Sequence, residues 1–280
     1  MKAYFHNSYI LERDNISKML EFVRENPSSN RRKIAEATGI GIGKKDHHSK
    51  LLPTIRYAIY SGLLEKKSDE NDIEATFTNV GNIIFENDLR LKSPVRQWIM
   101  HYFLCRTENE AMIWSFFVHK FLPKFPEFSH LDLRDELNLA FSQLTERNNR
   151  ENQKILAACY TDRNGLAKTG LLESYEKDKY IRGNTNQTEK YFKYLAAYVL
   201  AEIWEAKHAD KSMVEPQVLR ESGHLKTTLN LTDGDLQNCL DEMSAVGALA
   251  QMREAPPFQI VRRWTDKFDF LRRAFKEELG

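Results

Sequence analysis

The strongest constraint on the fold lies in residues 30–88, where two helical segments surround a glycine turn and precede a hairpin. The first segment, residues 30–38, ends at three alternating glycines in residues 39–43. Residues 51–63 then carry apolar side chains three and four positions apart, the spacing of a helix with one buried face. Two β-prone runs flank a polar turn at residues 68–72 and predict a hairpin. This order predicts a winged helix-turn-helix, whose second helix can lie in the major groove of DNA.

The order of elements recurs near the end of the chain, in residues 190–265. A helical segment ends at Gly247, and β-prone runs at residues 248–252 and 258–261 predict another hairpin. We therefore predict a mainly α fold with small β-hairpin wings. An N-terminal winged-helix domain with supporting helices covers residues 1–125. A C-terminal helical domain, residues 126–280, contains the second winged-helix-like unit, and residues 161–187 predict looser structure.

Positive charge is concentrated in the first part of the chain. Residues 1–60 hold 11 Lys and Arg against 6 Asp and Glu, a surplus of five, whereas the whole chain carries +1. The surplus therefore coincides with the predicted DNA-reading element, where phosphate contact needs it. The second unit differs, because its predicted reading helix carries Asp233, Asp235, Asp241 and Glu242. These carboxylates repel phosphate, so we assign that unit to packing or to partner binding.

Cysteine usage and hydropathy indicate a cytoplasmic protein. Cys105, Cys159 and Cys239 are isolated and form no CxxC pair, which favours a reducing compartment without structural zinc. The N-terminus lacks the basic-then-apolar layout of a signal peptide, and the most apolar window, residues 111–122, is too short to span a bilayer. We expect a soluble protein that does not contact membranes.

The predicted DNA interface consists of polar and basic side chains on or beside the first winged helix. Each phosphate that they neutralise releases counterions, which makes binding sensitive to salt. A solvated basic face is the alternative interpretation. The acidic wing tip, with Asp69, Glu70 and Asp72, argues against contact by the tip itself. The predicted DNA-binding residues are Arg31, Arg32, Lys44, Lys45, His47, His48, Lys50, Thr54, Arg56, Lys66 and Lys67.

Two motifs suggest enzymes but fit poorly. Asp46-His47-His48 resembles a metal-binding triplet of phosphoesterases, yet it opens a helix and lacks the further strand-borne aspartates of a two-metal site. The glycine-lysine turn before it has Thr38 where a P-loop needs its first glycine, and Lys45 where it needs a hydroxyl. No catalytic arrangement can be argued from the remaining residues. We therefore expect no enzyme activity, no cofactor and no metal.

Several short motifs together resemble a known protein family. They occur in order over about the first 125 residues: Phe5 with Arg13, Gly41-Ile42-Gly43-Lys44, Ile55-Arg56-Tyr57, Gly62-Leu63, Thr78-Asn79-Val80-Gly81, Ile84-Phe85 with Asp88, Trp98-Ile99-Met100-His101-Tyr102, and Trp114 to Phe117. The chain resembles the domain-of-unknown-function family number four thousand and seven. This resemblance implies bacterial or archaeal gene clusters for DNA sulfur modification (phosphorothioation) and phage defence, often beside a sulfurtransferase.

These observations predict a DNA-binding or adaptor component of a DNA sulfur-modification or antiviral defence system. It would contact duplex DNA through the first winged helix and dock enzymatic protein partners through its C-terminal half. One alternative is a purely protein-binding scaffold for a sulfurtransferase. Another is a transcriptional regulator of its own gene cluster, which requires a dimer and a palindromic site. A homodimer is compatible with the sequence.

Overall fold

The computed structural model describes residues 3–27, 29–41, 49–65, 76–87, 90–185, 187–221, 224–254 and 256–279. It is mostly helical and contains two small antiparallel sheets of three strands each. Contacts between Cα atoms divide the chain into two units, Met1–Gly183 and Asn184–Gly280. The mainly α fold class that the sequence predicts is confirmed at this level.

Three helices open unit 1: α1 (Arg13–Glu25), α2 (Arg31–Thr38) and α3 (Leu51–Tyr60). The side chain of Asn30 caps α2 by accepting a hydrogen bond of 3.0 Å from the amide of Lys33. Gly39 ends α2 with a φ of 72°, in the left-handed region that glycine adopts without strain. The predicted glycine turn continues into residues 42–48, which lie outside the described residues.

The next two helices begin at hydroxyl side chains that cap them. Helix α4 (Asn79–Asn87) follows Thr78, whose Oγ1 accepts from the amide of Gly81 at 2.8 Å. Helix α5 (Pro94–Cys105) follows Ser93, whose side chain accepts from the amide of Arg96. An aromatic segment comes next, formed by α6 (Met112–Phe116) and a π-helix (Phe117–Phe121).

The remainder of unit 1 combines two helices with a sheet. Its elements are β1 (Glu127–Ser129), α7 (His130–Ala140), α8 (Glu146–Thr161), a 3₁₀ turn (Ala167–Thr169), β2 (Leu172–Glu176) and β3 (Lys179–Arg182). The strand order is β1-β3-β2, with both pairs antiparallel. The prediction of looser structure over residues 161–187 is therefore wrong, since β2 and β3 lie there.

Contacts across the core join the two ends of unit 1. The buried guanidinium of Arg13 donates from Nε to the carbonyl of Gly165 at 2.5 Å and from Nη1 to the carbonyl of Leu91 at 2.9 Å. His101 Nδ1 lies 2.8 Å from the hydroxyl of Tyr160. Residues 126–183 belong to the same unit as the N-terminal helices, whereas the sequence predicts a domain boundary between residues 125 and 126.

Unit 2 begins with the long buried helix α9 (Phe192–His208). It continues through β4 (Met213–Val214), α10 (Pro216–Glu221), α11 (Leu225–Thr228), α12 (Asp233–Ala245), β5 (Leu249–Met252), β6 (Gln259–Arg262) and α13 (Phe268–Leu279). Thr232 and Asp235 form a reciprocal capping box at the start of α12. Residues 213–221 form β4 followed by α10, because Met213 and Val214 pair with β6.

The second predicted hairpin is present in unit 2. Strands β5 and β6 pair antiparallel, and the sheet has the order β4-β6-β5. In the first predicted hairpin the described residues contain a single bridge between Leu64 and Phe77, and the wing tip lies outside them. The winged-helix arrangement itself stays a prediction for both segments.

Candidate nucleic-acid interface

The start of α2 carries the exposed part of the predicted DNA interface. Arg31, Arg32 and Lys33 occupy its first turn, which contains no acidic residue. Arg32 and Lys33 are exposed and Arg31 is half-buried. The positive end of the helix dipole and three cations therefore lie together, and both attract anions. The Nε of Arg32 also pairs with Glu36 at 2.8 Å one turn later, a solvent-exposed contact that contributes little to stability.

The predicted reading helix α3 is mostly covered. Seven of its ten residues are buried and the other three are half-buried. Thr54 is 6% exposed, and its hydroxyl donates to the carbonyl of Lys50 at 2.9 Å. The Lys50 ammonium in turn pairs with Glu12 at 2.7 Å. Lys50 and Thr54, both predicted to bind DNA, therefore make contacts within unit 1.

Arg56 and Arg31 lie in one electrostatic cluster. Arg56 Nη1 donates to the carbonyl of Phe5 at 3.1 Å. Partial burial lowers the pKa of the Arg56 guanidinium, and the nearby charge of Arg31 lowers it further, whereas Tyr60 and Glu110 act in the opposite direction. The Tyr60 hydroxyl donates to Glu110 at 2.9 Å, and burial is the main reason that its pKa is raised. The cluster combines two cations with one carboxylate.

The other six predicted contact residues cannot be placed. Lys44, Lys45, His47, His48, Lys66 and Lys67 lie outside the described residues. Of the five that the structure places, Arg31 and Arg32 share the start of α2, and Lys50, Thr54 and Arg56 lie at or within α3. Lys33 is not among the predicted contact residues, although its position beside Arg31 and Arg32 at a helix start indicates the same role.

In unit 2, α12 presents carboxylates to solvent. Asp241 accepts from Gln251 at 2.8 Å and from Arg253 at 2.7 Å, and these bonds, that of Gln251 first, lower the pKa of its carboxyl group. Asp233 pairs with Lys226 at 2.7 Å. Beside α12 lies an open cleft of about 850 Å³, formed with residues 184–185, 187–190 and 192–193. The cleft is lined by both acidic and basic side chains, among them Asp235, Glu242 and Lys193.

Unit 1 has a smaller cleft, of about 550 Å³, beside the end of α3. Tyr60, Phe103, Arg106 and Glu110 contribute to its walls. Among the described residues, no group of three or more His, Cys, Asp or Glu side chains is arranged to hold a metal ion. Within the same residues, no helix combines the length and the apolar character needed to cross a membrane.

Comparison with known proteins gives two solved structures and one family. A crystal structure of SspB with bound magnesium ion is similar with a TM-score of 0.76 and 14% sequence identity, over 99% of this chain and 88% of that one. A second SspB crystal structure gives a TM-score of 0.73 at 14% identity, with the same coverage. At this identity the likeness concerns the fold. No curated protein matches. The model of the family described as protein of unknown function (DUF4007) matches residues 5–158, and the chain belongs to this family.

Proposed function

We propose that this protein is a non-enzymatic DNA-binding adaptor of a DNA sulfur-modification or phage-defence system. Unit 1 contacts the phosphates of duplex DNA, and unit 2 docks a protein partner. Membership of the family and the fold shared with SspB support a role in such a system. The residue-level assignment rests on charge and exposure.

The observation that carries the proposal is the exposed basic start of α2. Arg32 and Lys33 reach solvent beside the half-buried Arg31, at the helix end where the backbone dipole is positive. Lys44 and Lys45 follow a few residues later in the same basic stretch of sequence. Contacts of this kind position a protein on DNA without reading its sequence.

Unit 2 is assigned to a protein partner because its exposed helix has the wrong charge for DNA. Asp241 and Glu242 on α12 are exposed, and Asp233 at its first turn is exposed as well. A phosphate backbone is repelled by such a surface. The cleft beside α12, with its mixed charges, is the candidate docking site for an enzymatic partner.

The test measures binding of a labelled random-sequence duplex across a salt series. We expect affinity to fall steeply with salt. In the double variant Arg32→Ala with Lys33→Ala, loss of two phosphate contacts lowers the affinity about tenfold or more and reduces the salt slope by about two. Both side chains are exposed, so the variant retains its fold.

The matched control is Lys120→Ala with Lys124→Ala. These two lysines are also exposed, belong to unit 1 and carry the same charge. We expect this variant to bind DNA like the unmodified protein. If both variants lose affinity equally, only the net charge matters and the site assignment is wrong. If the unmodified protein does not bind DNA at low salt, the scaffold function replaces the proposal.

The non-enzymatic part of the proposal has its own test. Supercoiled plasmid is incubated with the protein and excess magnesium, and the plasmid forms are separated on a gel. We expect the plasmid to remain supercoiled. Nicked or linear products that increase with protein concentration, and that disappear with a chelator, would show a metal-dependent nuclease and overturn this part.

A further inference from the structure

A pocket opens in unit 2 where the hairpin of β5 and β6 meets α10 and α12. Its volume is about 360 Å³, near the lower end of the range that small-molecule pockets cover, about 300 to 1,000 Å³. It shares no lining residue with the larger cleft beside α12. We call it the hairpin pocket. The residues that decide its chemistry are Pro216, Gln237, Gln251, Arg253, Phe258 and Ile260.

The hairpin contributes one face of its strands to this pocket. Gln251 on β5 lies opposite Ile260 on β6. Continuing the strand alternation by one step toward the turn places Arg253 and Phe258 on the same face, and both line the pocket. Ile260 is 1% exposed and Gln251 is half-buried, whereas Arg253 and Phe258 are exposed. The face therefore begins in the core and ends in solvent, and the pocket lies where it emerges.

The aromatic ring in this pocket is exposed, unlike every other phenylalanine of the chain. All 16 phenylalanines lie in the described residues, and Phe258 is the only exposed one, at 49%. Pro216 and Ile260 add apolar surface to the same pocket. An exposed ring beside an apolar concavity offers a platform on which a flat aromatic ligand can stack.

The polar side of the hairpin pocket is electrically balanced. Arg253 is the one cation that lines it, and its Nη2 pairs with Asp241 at 2.7 Å. The described residues that line the pocket include no carboxylate. An anion would therefore compete with Asp241 for Arg253, and a cation would find no unpaired carboxylate. The pocket favours an uncharged ligand.

The same side chains leave hydrogen-bonding groups for a ligand. Gln237 donates from Nε2 to Asp241 and to the side-chain oxygen of Gln251, both at 3.1 Å. Arg253 donates through Nη2, to the same two residues. Among the described residues, Oε1 of Gln237 and Nε and Nη1 of Arg253 make no hydrogen bond. One acceptor and several donors therefore remain beside the apolar surface. Nucleobases present donors and acceptors side by side on a flat, uncharged ring, and glutamine and arginine pair with purine edges.

We propose that the hairpin pocket binds a nucleobase. The base stacks on the ring of Phe258, and its polar edge pairs with Oε1 of Gln237 and with the guanidinium of Arg253. Purines bind more tightly than pyrimidines, because the larger ring covers more of the apolar surface. This inference goes beyond the proposed function, which assigns unit 2 to a protein partner, and it does not depend on DNA binding by unit 1.

Charges outside the pocket restrict how the base arrives. Asp241 and Glu242 on α12 are exposed, and so is Glu254 in the loop between β5 and β6. These carboxylates repel the phosphates of a duplex, in which the edges and faces of the bases are also occupied. The base therefore belongs to a free nucleoside or nucleotide, or to an unpaired position of a nucleic acid. Both sources present the same ring to Phe258.

The test is calorimetric titration of the full chain with adenosine, cytidine and a single strand of six deoxyadenylates. We expect one saturable site per chain, with adenosine bound more tightly than cytidine. Phe258→Ala should weaken adenosine binding at least about fivefold, because the stacking platform is lost, whereas Phe258→Tyr should retain it. Gln237→Leu should weaken it about threefold or more, since the acceptor is lost. Leu279→Ala, an exposed change on α13, should have no effect.

The two probes that carry adenine distinguish the sources of the base. Adenosine binding at least as tightly as the oligonucleotide indicates a free nucleoside. Tighter oligonucleotide binding that Phe258→Ala abolishes indicates an unpaired base of a nucleic acid. Only the part lost in Phe258→Ala counts, because unit 1 is itself proposed to bind phosphates. The variant Arg32→Ala with Lys33→Ala should bind adenosine normally, so failure of the proposed function leaves this result unchanged.

Two results would overturn the proposal. One is the absence of saturable binding of adenosine and of the oligonucleotide up to about 1 mM, or binding that neither Phe258→Ala nor Gln237→Leu weakens. The other is binding of N-acetyltryptophanamide as tight as that of adenosine and equally dependent on Phe258, which would indicate a pocket for an aromatic side chain of a protein. Should circular dichroism show that Phe258→Ala is misfolded, Gln237→Leu decides.

Discussion

The imidazole of His6 is buried at the centre of unit 1 and held there as the neutral form. The amide of Ser8 donates to Nδ1 at 3.1 Å, so Nδ1 carries no proton, and Nε2 lies 2.7 Å from the side-chain oxygen of Asn152. Burial lowers the pKa of His6 from 6.5 to about 4, and the bond with Asn152 opposes this only in part. Protonation would also remove the acceptor that Ser8 uses.

We expect His6 to make unit 1 sensitive to acid. The pKa is lower in the folded chain than in the unfolded one, so the unfolded state takes up the proton first. The contribution is complete above pH 6.5 and is lost as the pH falls to about 4. The free energy of unfolding should decrease by about 3 kcal/mol over that interval because of this residue. Denaturant unfolding at successive pH values measures it.

The control is His6→Gln, whose amide can still donate to Asn152 but does not titrate in this range. It should be less stable near neutral pH and show a flatter dependence on pH. Equal pH dependence in both proteins would mean that another group governs the acid sensitivity.

At the residue scale, the sequence indicated local roles of side chains, such as helix capping, better than their burial and long-range contacts. Thr78 caps α4, and a local pattern can indicate such a cap because capping depends on neighbours a few residues away. The contact of Arg56 with Phe5 joins residues 51 positions apart, which no local pattern encodes. The sequence therefore predicted one buried face on α3, formed by its apolar residues, but not the contacts that cover Thr54 and Arg56.

At the scale of elements, two glycines in helices have opposite surroundings. A Cβ at Gly81 in α4 would lie 2.0 Å from the carbonyl oxygen of Leu63, so the helix start is packed directly on that backbone. A Cβ at Gly234 in α12 would meet only the Oγ1 of Thr232, at 3.9 Å. The same substitution should therefore have opposite effects at the two positions.

We expect Gly81→Ala to lower the free energy of unfolding by about 1 to 3 kcal/mol, because the backbone of Leu63 must move. Gly234→Ala should raise it by about 0.5 kcal/mol, since alanine restricts the unfolded chain and no contact opposes it. Denaturant unfolding of both variants is the measurement. A neutral Gly81→Ala would show that α4 does not pack as closely on Leu63.

The hairpins β2–β3 and β5–β6 show which strands a sequence can indicate. Strands β5 and β6 were predicted because apolar residues recur on both sides of a proline-containing turn. Strands β2 and β3 were not, since four of the five residues of β2 are exposed and its polar composition resembles a loop. Strand β2 pairs with one edge of β3, and β1 pairs with the other edge. This pairing, rather than the composition of β2, makes the segment a strand.

At the scale of the whole molecule, the division into units can be tested with fragments. Residues 1–183 retain the bonds from His6 to Asn152, Arg13 to Gly165 and His101 to Tyr160. Residues 1–125 lose all three. We expect the fragment 1–183 to unfold cooperatively in denaturant with native near-ultraviolet dichroism, and the fragment 1–125 to show neither property.

Cooperative unfolding of the fragment 1–125 would instead support the boundary predicted from the sequence. That prediction rested on the prolines at positions 123 and 126, which interrupt helices but need not separate domains. Contacts of residues 3–13 with α8 and its following turn join segments about 150 residues apart. A single sequence does not display such long-range contacts.

The burial of all three cysteines makes them built-in reporters of opening. Cys105 and Cys159 belong to unit 1 and Cys239 to unit 2. Burial raises the pKa of Cys159 and of Cys239 to about 12, so these two thiols are both shielded and protonated. An alkylating reagent therefore modifies each one as its surroundings open. Mass spectrometry of peptides after timed alkylation would measure the rate of local opening around each cysteine, and so in each unit separately, without any introduced probe.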